Sequence, residues 1–417
     1  MLRRLCSLLT LLCLTFAPAF AASSIDLGID TLRKSGFKNL EGKRVGLLTH
    51  PAGVDRNGTP TWKVLKDAPQ VNLVALFGPE HGVDGKAQAN EYVPSRTHTP
   101  TGLPAYSLYD KTRKPTPEML AGIDILVIDL QDVGVRSYTY VSAMKNAMEA
   151  CFQQGVGVMV LDRPNPLGGL KVDGPPLDPK FESYVGEFPV PYVHGLTIGE
   201  LSFLAKRTPG VLDISDTDRQ NGQLLIVPMG GWKRSMLWPQ TGLKWVPTSP
   251  AIPDLGAVMG YAMTGLGCQL GGFRHGVGTQ YPFRLLSYPG RSPESVMRAL
   301  QAHNIKGLSF QLTDGKTPAG GTVPGVYVRV TDWNQLKPTE ISFHMMRLAC
   351  AWSPENPFSA ATPQQQLLFN KHVGSEAWFN ALTQDGANVD VDRFVNEWSR
   401  LAYDYQLNSR KFWLYQP

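Results

Sequence analysis

Three carboxyl groups in this sequence stand directly after short apolar runs, each among residues that bind ligands or move protons. Glu80 lies in Gly78-Pro79-Glu80-His81-Gly82, Asp132 in a polar stretch from Asp129 to Tyr140, and Asp162 in Asp162-Arg163-Pro164-Asn165-Pro166. A fourth run ends in Thr49-His50-Pro51-Ala52-Gly53-Val54-Asp55. If the runs are strands of one parallel sheet, these ends share a rim, and open α/β sheets bind ligands at the carboxyl ends of their strands. Carboxyls gathered at such a rim suit acid/base chemistry, since one beside apolar neighbours can keep its proton near neutrality while another stays ionised. Each residue also has a structural explanation. Aspartates after strands cap the next helix or brace a turn, Arg163 is placed to pair with Asp162, His194 can be a packing histidine, and Glu200 can face a helix N-terminus. Tyr138 and Tyr140 can line a core.

The elements that must position these groups are legible as pattern. Arg44 to Leu48, Asn72 to Phe77, Ile123 to Leu130 and Gly157 to Leu161 are near-continuous apolar runs flanked by turn residues, the mark of parallel strands buried on both faces. Thr59 to Lys66, Pro117 to Ala121 and Tyr140 to Gln154 read as the intervening helices, the last with Val141, Met144, Met148 and Cys151 at helical spacing. A helix from Ile198 to Lys206 precedes a strand from Leu224 to Pro228. This alternation predicts an α/β fold with a Rossmann-like, doubly wound and mostly parallel sheet. Beyond residue 285 the pattern predicts a helix from Ser292 to Ala302, strands at Leu308 to Leu312 and Val326 to Val330, and a helix from Glu340 to Ala351. The tail from Val391 to Tyr405 carries Phe394, Trp398 and Leu401 at helical spacing. The expectation is a larger domain over 22–285, a smaller α/β subdomain over 286–417, and a cleft between them.

Composition excludes several classes. Lys and Arg number 40 against 35 Asp and Glu, a net charge of +5 that falls to +3 without Arg3 and Arg4. With no basic block, nucleic acid is not an expected partner. Arg3 and Arg4 precede the apolar run Leu8 to Phe16 and a small-residue site at Ala19-Phe20-Ala21, the layout of a signal peptide over 1–21. The run is shorter than the roughly 20 apolar residues of a spanning helix. A protein exported to the periplasm without a membrane span is expected. Of five cysteines, Cys6 and Cys13 fall in the leader, while Cys151, Cys268 and Cys350 lie far apart without CxxC spacing. They are expected to be free thiols, forming neither a disulfide framework nor a zinc site. No GxGxxG follows the first strand, and Walker A, GxSxG and HExxH patterns are absent, so no nucleotide cofactor is expected. A metal would require His50, His81 and His194 to meet in space, and none is expected.

Five ordered segments together carry a family resemblance. Val45 to Val54, Leu76 to Gly82, Asp129 to Tyr140, Leu161 to Pro166 and His194 to Leu201 resemble the NamZ-type exo-β-N-acetylmuramidases, with further similarity at Pro228 to Met236, Thr248 to Pro250 and Arg410 to Tyr415. The resemblance spans nearly the whole chain after the leader. It implies a glycoside hydrolase that removes terminal β-N-acetylmuramic acid from the non-reducing end of peptidoglycan-derived oligosaccharides or muropeptides. Such an enzyme would act in a cleft between a Rossmann-like catalytic domain and the smaller one, without metal or organic cofactor. Glu80 is then the leading catalytic acid. A second carboxylate is commonly needed, with Asp132 the first choice and Asp162 the second, and His81 is placed to orient Glu80 or to touch the sugar. The lactyl carboxylate of muramic acid calls for a guanidinium, from Arg136 or Arg163. Tyr138 and Tyr140 offer faces for the ring, Asn165 suits the acetamido group, and His50 and His194 complete the expected binding set. Where family members commonly show Thr-Asn-x-Ser-x-Gly-Arg-Gly-Thr, this chain has Gly271-Gly272-Phe273-Arg274-His275-Gly276-Val277-Gly278-Thr279. Arg274 or His275 is expected to restore the missing polar contacts, with some drift in the preferred muramyl form. Two rivals stand beside this reading: a binding or scaffold protein that keeps the fold without turnover, and a hydrolase of another bond with a nucleophilic Ser or Cys beside a His.

Overall fold

Side chains on successive residues of a strand point to opposite faces, so a strand that is apolar throughout must be covered on both. The computed structural model describes residues 25–88, 91–268 and 270–417; the expected leader lies outside the described residues. Its main sheet has seven strands in the order β3-β4-β2-β1-β5-β6-β7: β1 Arg44–Thr49, β2 Asn72–Gly78, β3 Arg96–His98, β4 Leu103–Ser107, β5 Ile125–Asp129, β6 Gly157–Leu161 and β7 Leu224–Val227. From β4 to β7 all neighbours are parallel, and only β3 runs antiparallel, against β4. Val45, Leu47, Ile125 and Val127 enter one hydrophobic core, while Leu48, Leu126 and Ile128 enter the other. β5 and β6 are buried at every residue. The chain begins at β1, builds outward through β2 to β4, then returns to the far side of β1 with β5, β6 and β7. This reversal opens a crevice over β1, flanked by the loops after β2 and β5.

A second, three-stranded antiparallel sheet is formed by β8 Leu285–Leu286, β9 Leu308–Lys316 and β10 Thr322–Val330, in the order β8-β10-β9. The helix Pro293–Gln301 starts beside it with Ser292 as its cap, the hydroxyl accepting from the Ser295 N–H. Helices Glu340–Trp352, Pro363–Val373, Ala377–Asp385 and Val391–Ser409 complete this half. One core runs without interruption from the main sheet into it, joining Leu48, Phe77 and Met144 to Phe343, Trp378 and Trp398. The fold is therefore the expected doubly wound α/β sheet with a second, smaller sheet packed beside it. Cys151, Cys268 and Cys350 are free thiols, the first fully buried. Among the described residues no helix is long and apolar enough to cross a membrane.

The elements that the pattern did not predict have specific causes. β4 carries Pro104 and no apolar run, and its partner β3 is three residues long. The helix Leu255–Thr264 contains Gly256 and Gly260, which in sequence suggest a loop. In the fold they admit close neighbours: a Cβ at Gly256 would meet the Arg284 guanidinium at 2.0 Å, and one at Gly260 the Phe283 carbonyl oxygen at 2.8 Å.

Candidate active site

Glu80 sits two residues beyond the end of β2, at the crevice. Its Oε2 accepts a hydrogen bond of 2.9 Å from the Thr139 hydroxyl on the loop after β5, so the two loops that flank the switch point are tied together at this carboxyl group. The Tyr109 hydroxyl also hydrogen-bonds Glu80; burial first, then the Glu80 charge, push that phenol above its ordinary pKa. The next residue, His81, has φ +71°, a left-handed conformation that costs a non-glycine residue about 1–3 kcal/mol and is typically retained at functional sites. Its ring is held by Nδ1, 2.8 Å from the Ala87 carbonyl oxygen. A carbonyl can only accept, so Nδ1 carries a proton, and in the neutral ring Nε2 is the acceptor.

Both residues line a cleft of ≈ 460 Å³, within the usual size of small-molecule sites. Its walls come from the loop after β2, from Ser137 to Tyr140 after β5, from Ser249 to Pro253, and from the second half of the molecule through Tyr261, Val277 to Thr279, Phe283 and Pro318. The cleft thus lies between the rim of the main sheet and the loops and hairpin of the smaller one. Tyr138 and Tyr140 back one side, the first 9% and the second 1% exposed, with ring centroids 4.9 Å apart at 67°. Their hydroxyls are spent on Thr248: Tyr138 donates to its Oγ1 at 2.7 Å and Tyr140 to its carbonyl. The surface they present to a ligand is therefore aromatic. A second hollow, lined by Asp84, Lys86, Glu91, Arg96 and Tyr106 among others, adjoins the cleft and shares His81 with it.

Most of the other residues expected at the site are committed elsewhere. Arg136 is 1% exposed and gives its guanidinium to four carbonyls, those of Pro175, Val190, His372 and Val373. The last two belong to the end of the helix Pro363–Val373, where a cation offsets the helix dipole and satisfies orphan carbonyls. Burial lowers this guanidinium to about 10, so it stays charged as a staple between the two halves, not as a carboxylate receptor in the cleft. Arg163 does not pair with Asp162. It grips the fully buried Asp129 through two bonds of 2.5 and 2.8 Å, and Thr61 donates to the same carboxylate.

Asp162 itself accepts from the Gly199 N–H and the Thr197 hydroxyl at the start of the helix Ile198–Arg207, from its neighbour's N–H, and from the Tyr415 hydroxyl at 2.6 Å. A Cβ at Gly199 would lie 2.6 Å from its carboxyl carbon. Asp162 is thus a helix-capping and tail-docking group, with no face on the cleft. Burial, with the nearby Glu200 charge, raises its pKa to about 6. Glu200 closes the capping box with Thr197 and forms a buried 2.5 Å pair with Arg234. Asn165 donates to the Leu196 carbonyl and accepts from the Leu167 N–H, bracing a turn and not a sugar. Asp132, 4% exposed, accepts from the Gly134 N–H. His194 accepts from the Leu196 N–H at Nδ1, which leaves Nε2 protonated 3.3 Å from Asp132 Oδ2. His50 accepts from the Gln131 N–H at Nε2; burial, then the Arg163 charge, lower its pKa to about 3, so it is neutral. Among the described residues no three His, Cys, Asp or Glu side chains are grouped to hold a metal ion.

The structure brings Glu80, His81 and Tyr138 to the cleft and places Asp132, Asp162, His50, Arg136, Arg163, Asn165 and His194 in the packing behind it. Sequence reasoning passed over Thr139, Tyr109 and Tyr261, whose hydroxyls approach the site from separate segments. It also passed over Arg113, stacked between Tyr109 and Tyr184 at 4.2 and 4.0 Å from the ring centroids. The divergent loop reaches the cleft through Val277, Gly278 and Thr279, whereas Arg274 is exposed outside it and pairs its backbone with Ser287.

Comparison with known proteins agrees with this architecture. Residues 45–256 match the N-terminal part, and residues 259–415 the C-terminal part, of exo-beta-N-acetylmuramidase NamZ; the two stretches meet ahead of β8. A peptidoglycan beta-N-acetylmuramidase NamZ of Bacillus subtilis (strain 168) is 37% identical over 396 residues, covering 94% of this chain and 91% of that protein. A DUF1343 family protein of Bacteroides fragilis NCTC 9343 superposes with a TM-score of 0.83 at 38% identity, covering 94% of this chain and 99% of the other. A second from the same organism shares the fold at a TM-score of 0.71 and 24% identity over the same shares. From rim to tail, in sequence and in fold, the chain belongs to the exo-beta-N-acetylmuramidase NamZ family.

Proposed function

We propose that this protein is an exo-acting glycoside hydrolase that removes terminal β-N-acetylmuramic acid from the non-reducing end of peptidoglycan fragments, with Glu80 as the acid that protonates the departing oxygen. The observation that carries this reading is the position of Glu80. Of the described residues that line the cleft it alone bears a carboxyl, and it is held by Thr139 and Tyr109 at the sheet's switch point. The family relationship supplies the substrate class. Tyr138, the less buried of the two tyrosines on this wall, meets the pyranose, as aromatic groups do with apolar ring surfaces. For the lactyl carboxylate, the two arginines expected from sequence are consumed in packing, and Arg113, exposed and stacked between Tyr184 and the Tyr109 that bonds Glu80, takes that role. The leader over residues 1–21 directs export to the periplasm, where wall fragments occur.

Release of 4-nitrophenol from its β-N-acetylmuramic acid glycoside tests the reading, with the N-acetylglucosamine analogue and Glu80→Gln run alongside. Cleavage of the muramyl compound, weak cleavage of the analogue and loss in the variant are expected. No cleavage by folded protein, of this compound or of a natural disaccharide, replaces the hydrolase with a binding protein of the same fold.

A further inference from the structure

Glycosidases with two catalytic carboxyl groups hold them about 5–5.5 Å apart when the second is a nucleophile and about 6.5–9.5 Å apart when it activates water. Among the described residues, the lining of this cleft holds no second carboxyl group. Among the residues lining it, Glu80 is the only acid, and none of residues 1–24, 89, 90 and 269 is Asp or Glu. The other acids of this region lie outside that lining. Asp132 is buried against the Gly134 N–H and His194, and Asp254 caps the helix Leu255–Thr264 and pairs with Arg284 at 3.1 Å. In the adjoining hollow Asp84 pairs with Arg96 and Glu91 accepts from the Gln88 N–H.

Resting on the hydrolase reading above, we infer that the nucleophile comes from the substrate: the 2-acetamido group of the muramyl residue attacks its own anomeric carbon, with Glu80 as acid and then base and His81 Nε2 accepting the acetamido N–H. The electron count closes without any other reagent. The acetamido oxygen forms a bond to C1 as the bond from C1 to the leaving oxygen breaks, and the Glu80 proton goes to that oxygen. The positive charge then resides on the cyclised acetamido group, an oxazolinium whose N–H points to His81. In the second step the Glu80 carboxylate takes a proton from water, the water oxygen bonds to C1, and the bond from C1 to the acetamido oxygen breaks. Two displacements at C1 leave the β configuration unchanged. His81 suits its part because the Ala87 carbonyl takes the Nδ1 proton, so that the neutral ring presents Nε2 as an acceptor. An acceptor on the amide N–H pushes electron density to the carbonyl oxygen that must attack, and the strained backbone at His81 holds the ring there.

The test uses the full chain and 4-nitrophenyl β-muramides whose acetyl group carries zero, one, two or three fluorines, with proton NMR of the first-formed sugar. Fluorine withdraws density from the carbonyl oxygen, so kcat/KM is expected to fall about a hundredfold or more from acetyl to trifluoroacetyl, and the β anomer is expected first. His81→Asn, which tolerates the left-handed backbone, should lose at least about tenfold in kcat with a Tm close to that of the parent. Appearance of the α anomer first overturns the inference in favour of direct attack by water. Retention with rates indifferent to fluorine also overturns it, in favour of a protein nucleophile such as Glu91, for which Glu91→Gln would then be inactive. An unchanged kcat in folded His81→Asn overturns the role of His81. Failure to cleave the parent acetyl compound removes the proposed function itself, a result distinct from all of these.

Discussion

The rims after β2 and after β6 present the same kind of signal in sequence, an acid just past an apolar strand with a basic residue and a turn behind it. In the fold they have opposite fates. Glu80 faces a cleft and is touched by hydroxyls from two other segments. Asp162 has no exposed surface and accepts four hydrogen bonds from a helix start, its neighbour and the C-terminal tail. The difference lies in the course of the chain beyond each strand. After β2, Gly78, His81 and Gly82 turn the chain outward, His81 and Gly82 at positive φ. After β6 the chain runs into Pro164 and Pro166 and returns to a capped helix, whose free N–H groups draw a carboxylate inward. A carboxyl group after a strand is thus left open to a cleft or drawn into packing by the partners available to it.

The sharpest way to break this comparison is to neutralise each acid. Glu80→Gln should lower kcat/KM by about 10³-fold, equivalent to about 4 kcal/mol of transition-state stabilisation, with little change in Tm. Asp162→Ala should do the reverse. It orphans two N–H groups and two hydroxyls, at about 1–3 kcal/mol each before any rehydration, for an expected loss of about 3–5 kcal/mol in stability by urea unfolding. The folded fraction should keep kcat/KM within about threefold. A variant at Asp162 that folds normally but cannot turn over would move it back to the site.

The pH dependence of stability sets the rim after β6 against the end of β1. The Asp162 carboxyl is raised by burial to about 6 from 3.8, so between these values the native state binds more protons than the unfolded chain, and this residue makes stability fall as pH rises. By linkage the effect amounts to about 3 kcal/mol across that window. His50 acts in the opposite sense. Its native pKa is about 3 against 6.5, so the unfolded chain binds more protons and stability falls as pH drops through 6.5. Asp162→Asn should therefore make acid destabilisation between pH 6 and 4 steeper than in the parent, read as Tm against pH. An unchanged slope would show that Asp162 is not the opposing group. Arg136→Lys probes the staple between the halves: an ammonium has three donors for four carbonyls, so a stability loss of about 2 kcal/mol with unchanged kinetics is expected.

How far sequence carries can be judged from these residues. The strands β1, β2, β5 and β6 are visible because burial on both faces demands unbroken apolar runs, and Glu80 because a lone acid between glycines has few packing uses. Asp162 and Arg163 are misread toward the sugar because their partners, Tyr415 and Asp129, lie 253 and 34 residues away and no local pattern announces them. The same holds for Arg136, whose acceptors are carbonyls and so leave no side-chain signature. Tyr109 and Arg113 lie just past the short strand β4, where Pro104 masks the strand itself.

Arg113 gives the smallest effect and the finest discrimination. Its guanidinium is held between Tyr109 and Tyr184, and Tyr109 in turn touches Glu80, so a carboxylate bound there would be oriented relative to the acid. Because the group is exposed, solvent screening limits the pairing to about 1 kcal/mol. Arg113→Ala should accordingly raise KM for the muramyl glycoside about fivefold, leave kcat nearly unchanged, and leave the N-acetylglucosamine analogue unaffected because it has no lactyl carboxylate to lose. Equal losses on both sugars would instead mean that Arg113 acts through the tyrosines on Glu80, making it part of the support for the acid and shifting specificity for muramic acid to the divergent loop at Val277 to Thr279.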